Sequence, residues 1–190
     1  MQNKKYLKSI AQLRAGYTFR TALKTDDSGK CLVMQAKDIS DNIIVDEDKL
    51  TKINHQTYKS NALIKNNDVI LSVRGKFKAG VYRGNLKNII TSASVYILRL
   101  VEKNIRPEYL AIYLNSSVGQ KEINKLLTGG VIKTILKKDL ENVNIIIPDF
   151  KKQQSIIDIY KNNILLQKKL DAKKLIINNI TETIINKTLK

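Results

Sequence analysis

With one cysteine, Cys31, this 190-residue chain has no intramolecular disulfide available to it. Cys31 lies in the apolar run Cys31-Leu32-Val33-Met34, the setting of a small buried hydrophobe. The single histidine, His55, is far from it in sequence, and neither C-x-x-C nor H-x-x-x-H spacing occurs. That argues against a transition-metal site and leaves His55 as a surface or loop residue. No G-x-x-x-x-G-K-[ST] or G-x-G-x-x-G pattern is present, so no phosphate-cradling loop is indicated. Glu47-Asp48-Lys49 after Asp38 is a charged spacing of the kind nucleases use for Mg²⁺, but it reads as a solvated turn without converging carboxylates. No apolar stretch is long enough for a signal peptide or a membrane span. Together with the lone thiol, this sets the expectation of a soluble, cytoplasmic protein without a membrane partner. Only 2 prolines and 8 glycines accompany 43% hydrophobic residues, a composition that builds a core and not a disordered tail.

Negative charge is the other scarcity. Against 34 Lys+Arg stand 17 Asp+Glu, a formal net charge of +17. So lopsided a chain repels itself unless it meets a polyanion, which makes nucleic acid the leading partner and an acidic membrane surface the second. The richness in Lys, Asn and Ile is what an AT-rich genome produces, and it inflates lysine on any protein. Arginine is less affected, so Arg14, Arg20, Arg74, Arg83, Arg99 and Arg106 carry more information.

Along the chain, Ser9-Ile10-Ala11-Gln12-Leu13 alternates like a half-buried strand ending at Ala15-Gly16. Residues 32–36, 43–45, 69–73 and 94–100 read as strands, and 48–54 as a helical turn. Gly75, Gly80 and Gly84 punctuate a basic, hairpin-like stretch over 74–87. Then the period changes: residues 107–114 begin a helix at Pro107, and 118–127 form another that stops at Gly129-Gly130. A turn at 136–140 precedes the strand Val143-Asn144-Ile145-Ile146-Ile147. Strands first and helices after define an α+β class with a mixed or antiparallel sheet. The boundaries expected are 1–150 for a globular domain and 151–190 for one long helix.

That helix carries a heptad. With Ile156 at position a, the a series is Ile156, Asn163, Leu170, Ile177, Ile184, and the d series is Ile159, Leu166, Lys173, Ile180, Lys187. Asn163 is the kind of polar a residue that fixes register, while Lys173 and Lys187 interrupt the seam. Residues 152–188 extend about 55 Å at 1.5 Å per residue. A helix folded back over its own sheet is one solution. The length favours the other, pairing with a second helix.

Five segments in order resemble the specificity (S) subunits of type I restriction–modification systems. Leu13-Arg14-Ala15-Gly16-Tyr17-Thr18-Phe19-Arg20 is similar to the family's G-x-T-F/P opening. Asn67-Asp68-Val69-Ile70-Leu71-Ser72-Val73-Arg74-Gly75 is similar to its GD-I-L-x-S-x-R-G strand, with Asn67 in place of glycine. Residues 107–116 resemble its P-x-Y-L-x-x-x-L-x-S helix. Thr128-Gly129-Gly130-Val131-Ile132-Lys133, running on to Ile145-Ile146-Ile147-Pro148, resembles a fourth segment, and Gln153-Gln154-Ser155-Ile156 resembles the entry to the spacer helix. The usual member of the family has two target recognition domains and two spacer helices; no internal repeat is visible here. The resemblance implies a DNA target recognition domain followed by a spacer helix, acting as a homodimer on a palindromic, interrupted site in double-stranded DNA. It implies no chemistry and no cofactor of the chain's own: methyltransferase subunits that bind S-adenosylmethionine, and restriction subunits with them, dock onto it. A silent cassette fragment and a basic RNA-binding protein remain as alternatives, with a nuclease last.

Candidate DNA contacts follow from residue type. Lysine serves phosphates, whereas Arg, Asn, Gln, Ser and Thr with defined geometry serve base edges. Arg74, Lys76, Lys78, Tyr82, Arg83 and Lys87 in the glycine-punctuated loop are the first candidates, against an unliganded basic hairpin. Thr18, Arg20 and Lys24 form a second arm, and Lys133, with Lys137 and Lys138, adds phosphate contacts. The candidates for dimerisation are Ile156, Ile159, Asn163, Leu166, Leu170, Ile177, Ile180 and Ile184.

Overall fold

A computed structural model describes residues 3–40, 42–54, 60–127 and 133–189. His55 and the Gly129-Gly130 stop lie outside those residues. In chain order the elements are β1 (Lys4–Tyr6), α1 (Leu7–Ile10), β2 (Ala11–Ala15), β3 (Cys31–Met34), β4 (Thr51–Ile53), β5 (Val69–Ser72), β6 (Ala79–Val81), β7 (Ile89–Thr91), β8 (Val95–Leu100), α2 (Pro107–Asn115), α3 (Ser117–Asn124), α4 (Lys137–Leu140), β9 (Asn144–Ile146) and α5 (Phe150–Thr188). The class is α+β, as the order of periodicities requires.

Among the described residues the strands form three sheets. β2-β8-β5-β6 is antiparallel throughout; β4-β3-β7 is mixed, with β3 and β7 parallel; β1 and β9 form an antiparallel pair. The mixed sheet explains the unbroken apolar run at Cys31. Cys31 and Val33 pack with Ile53, Ala62 and Ile90 on one side, while Met34 packs with Ile70, Ile89 and Ile97 on the other. A strand buried on both faces shows no alternation. Ile89 and Ile90 of β7 divide in the same way, which hid that strand from a period-2 search.

Three local expectations change. Residues 43–45 make only a bridge between Ile44 and Val81. The 48–54 segment is a short 3-10 turn over Glu47–Lys49 followed by β4, because Thr51 and Ile53 find partners on β3. Strand β2 begins two residues after the alternation, since Leu7 to Ile10 closes one helical turn that buries both Leu7 and Ile10.

Side chains holding backbone groups fix how the helices meet the sheets. α2 packs on β5 and β6, and Asn115 at its C-terminus brackets Ala79: Oδ1 accepts from the Ala79 N–H at 2.7 Å and Nδ2 donates to its carbonyl at 2.8 Å. Tyr109 donates to the Ile146 carbonyl at 2.6 Å, and burial with Tyr113 beside it pushes its hydroxyl up to about 12. Gln153 is fully buried, accepting from the Arg106 N–H and donating to the carbonyls of Asn104 and Pro148 at 2.8–2.9 Å. The chain divides into two compact units, Met1–Gln154 and Ser155–Lys190. No described helix is long and apolar enough to cross a membrane.

Among the described residues the most deeply buried ion pair lies in the first unit. Asp68 is 2% exposed, and Arg99 donates to both its carboxylate oxygens at 2.8 and 2.6 Å. Arg99 also donates to the Leu63 carbonyl, and the Lys65 N–H donates to Asp68. Removing one partner leaves a buried charge uncompensated, so Arg99→Ala should lower the unfolding free energy by about 3–5 kcal/mol in urea denaturation.

Candidate nucleic-acid interface

Strand direction decides which cations meet. Because each neighbouring pair in β2-β8-β5-β6 is antiparallel, one end of this sheet gathers the C-termini of β2 and β5 and the N-termini of β8 and β6. Arg74, Lys76 and Lys78 occupy the β5–β6 turn at that end. The segment after residue 132 joins them: Thr134 bridges Arg74, and the Ile135 N–H donates to the Val73 carbonyl at 3.2 Å, so Lys133 stands beside Arg74. Thr18 and Arg20 leave β2 at the same end, where the Tyr17 N–H donates to the Thr91 carbonyl at 2.7 Å.

The rest of the glycine-punctuated stretch is elsewhere. β6 intervenes, since Ala79-Gly80-Val81 is small and apolar enough to be buried as a strand against β5. Tyr82, Arg83 and Lys87 therefore fall at the opposite end of the sheet. Tyr82 is fully buried and donates to Glu47; burial and that carboxylate hold its phenol far above the usual range. It is a core residue and reaches no groove, which corrects its place among the DNA candidates. Arg83 donates to Asn67 and Glu108, so its charge is met within the protein. Lys87 is exposed at the entry to β7, and Lys24 is exposed beyond Leu23, which packs onto the Cys31 cluster.

The basic turn is held rigidly. Ser72, fully buried, donates to the Lys76 carbonyl and accepts from the Lys78 N–H, and Gln120 of α3 donates to the Phe77 carbonyl at 2.8 Å. Gly75 has φ +75, a left-handed conformation that side chains resist. Such a turn presents Arg74 and Lys76 with little ordering left to do.

Beside it a cleft of about 700 Å³ opens along β2. Gln12, Arg14, Thr18, Arg20, Asn61 and Lys137 are among its walls. Gln12 and Arg14 follow from strand alternation, being two residues apart on one face. Asn61 has no local signal, because only the fold carries it there. Gly16 marks the cleft's floor: a Cβ there would lie 2.0 Å from the Ser92 carbonyl oxygen, so glycine is required where the two backbones approach. Among the described residues no carboxylate pairs with Arg20, Arg74, Lys76 or Lys133, whereas Lys137 lies 3.5 Å from Glu141. No group of described His, Cys, Asp or Glu could hold a metal ion. Asp46, Glu47 and Asp48 belong to a capped 3-10 turn, with Asp46 accepting from the Asp48 N–H.

The second unit carries the heptad. Ile156 (37% exposed), Ile159 (69%), Leu166, Leu170, Ile177, Ile180 and Ile184 all present apolar surface to solvent, with Asn163 exposed among them. Leu165, Leu175 and Ile176 add to it.

A family model described as type I restriction modification DNA specificity domain matches residues 2–183. The chain belongs to that family. Its fold is shared with solved chains at low identity. Ninety per cent of it matches 40% of a chain from a study of complex assembly and conformational transition in a type I restriction–modification system, at TM-score 0.64 and 19% identity. The same share matches 38% of the HsdS subunit from Thermoanaerobacter tengcongensis at TM-score 0.60 and 19% identity. For the type I S subunit from M. genitalium the shares are 84% and 38%, at 0.55 and 17%. The chain thus spans about 40% of the length of these proteins. No curated protein matches at a significant level.

Two glycines give a direct check on this geometry. Gly75→Ala should cost about 1–2 kcal/mol from the left-handed backbone alone, and Gly16→Ala about 1–3 kcal/mol from overpacking against Ser92; thermal and urea unfolding of the two variants measure both.

Proposed function

We propose that this chain is a DNA-reading specificity unit that works as a homodimer on a bipartite site. The observation that carries the proposal is a pairing of two features: a pre-shaped basic end of the four-stranded sheet, and a helix whose heptad residues are exposed. Two copies joined antiparallel along α5 bury that face and hold two basic ends at a fixed separation, which suits a palindromic, interrupted sequence. Arg20, Arg74, Lys76 and Lys133 meet phosphates, Lys78 flanks them, and Thr18 faces the duplex from the cleft; Lys24 and Lys87 lie outside the patch and add little. Docked methyltransferase subunits bring S-adenosylmethionine and the methyl transfer, restriction subunits join that assembly, and this chain contributes position and sequence choice.

The span of about 40% of the solved S subunits also suits a cassette fragment that is silent by itself. Co-purification separates the two: an active unit recruits a methyltransferase and directs adenine or cytosine methylation to one motif, and a silent one recruits nothing.

The homodimer makes a quantitative claim. Light scattering should give twice the chain mass, and duplex affinity should fall with salt at a log–log slope of roughly −7 if four cations per copy meet phosphates. Leu170→Glu with Ile177→Glu should give a folded monomer whose affinity for a two-half-site duplex is lower by on the order of 10²–10⁴, the loss expected when two linked contacts become one. A wild-type monomer at high concentration contradicts the proposal.

A further inference from the structure

In the β2 cleft one arginine differs from the others. Arg14 donates to the Oε1 of Gln12 through both Nε, at 3.2 Å, and Nη2, at 2.8 Å. The two residues stand at i and i+2 on one face of β2, a strand whose register is fixed by five successive pairs with β8, Gln12 opposite Arg99 and Arg14 opposite Ile97. Immediately beyond, Gly16 is wedged against Ser92, so the backbone that carries Arg14 has no room to slide. Gln12 thereby occupies the Nε side of the guanidinium plane and leaves its Nη1 edge for a ligand in the cleft. Among the described residues Arg20, Arg74 and Lys76 have no such partner: they are exposed cations on a turn or loop, suited to phosphates.

We infer that Arg14 is a base-reading residue of this chain, its guanidinium turned by Gln12 to offer two parallel N–H donors to the O6 and N7 acceptors of a guanine in the major groove. The inference rests on the DNA-specificity function proposed above. Three physical points support it. Bidentate donation to O6 and N7 needs a planar fork held in one orientation, and the Gln12 acceptor supplies that orientation. Readout needs a rigid base for the side chain, and a fully registered strand is more exact than a loop. The cleft that holds Arg14 is also lined by Asn61 and Thr18, further side chains of the type that contacts base edges. Arg14 is the reader, and Gln12 is a positioning residue.

Selection of bound sequences from a random duplex library by the full-length chain tests this, followed by affinity and salt titrations on the selected duplex and on single-base variants of it. Wild type should select a guanine in each half-site. Arg14→Ala should lose discrimination at that one position by about 10- to 100-fold. Arg14→Lys keeps the charge, and therefore the salt slope, yet should lose the same preference. Gln12→Leu should relax the same position, while Gln12→Glu, which retains an acceptor oxygen, should restore it. Arg20→Ala serves as the contrast, weakening all sequences alike and reducing the salt slope by about one. Unchanged melting of Arg14→Lys and Gln12→Leu shows that folding is not the cause. If Arg14→Ala behaves as Arg20→Ala does, or alters neither specificity nor slope, the assignment is overturned and Arg14 is a phosphate contact or a surface residue. If wild type selects no sequence at all, the specificity function itself falls, and the assignment with it.

Discussion

Strand β8 sets the positions of the residues of the proposed interface. It pairs antiparallel on both sides, so Ile97 faces Arg14 on one neighbour and Ile70 on the other, and Tyr96 faces Ala15 and Leu71. A slip of one residue would turn Ile97 and Ile70 out of the core they share with Met34 and Ile89, which is why the register is strongly specified. With the register fixed, the strand ends coincide, and the cations that follow β2 and β5 come to one edge. At the other end the two arginines are met internally, Arg99 by Asp68 and Arg83 by Glu108, while Lys65 and Lys87 are exposed. Sheet pairing therefore decides which of the chain's cations meet at one edge.

The family-like segments turn out to be the parts that hold this arrangement. Gly16 permits a backbone contact, and Asn67 takes a left-handed conformation (φ 72) that asparagine tolerates better than most residues. Asp68 anchors Arg99. Asn115, Tyr109, Tyr113 and Gln153 hold backbone carbonyls that would otherwise be unsatisfied between helix and strand. The recognition proposed here falls to side chains projecting from that scaffold, in the turn at Gly75 and along β2.

Much of the fold was legible because periods and punctuation are local. The strands at 69–73 and 94–100, the helix opening at Pro107 and the heptad from Ile156 all declare themselves within a few residues. What was hidden depended on distant partners. Strand β7 is buried on both faces, and β1 has meaning only against β9, more than a hundred residues later. The site was half legible for the same reason. Residue type marked Arg20, Arg74, Lys76 and Lys133, but nothing local showed that β6 would carry Arg83 and Lys87 to the far end or draw Tyr82 into the core. Nor could it show that Gln12, Arg14 and Asn61 share a cleft.

In the proposed function duplex DNA lies across one end of the β2-β8-β5-β6 sheet. Amine labelling of lysines, with and without bound duplex and read by mass spectrometry, tests it most directly. Bound duplex should protect Lys76, Lys78, Lys133 and Lys137 and leave Lys65 and Lys87 at the opposite end as reactive as in the free protein. Protection of Lys65 and Lys87 with the other four unchanged would contradict it.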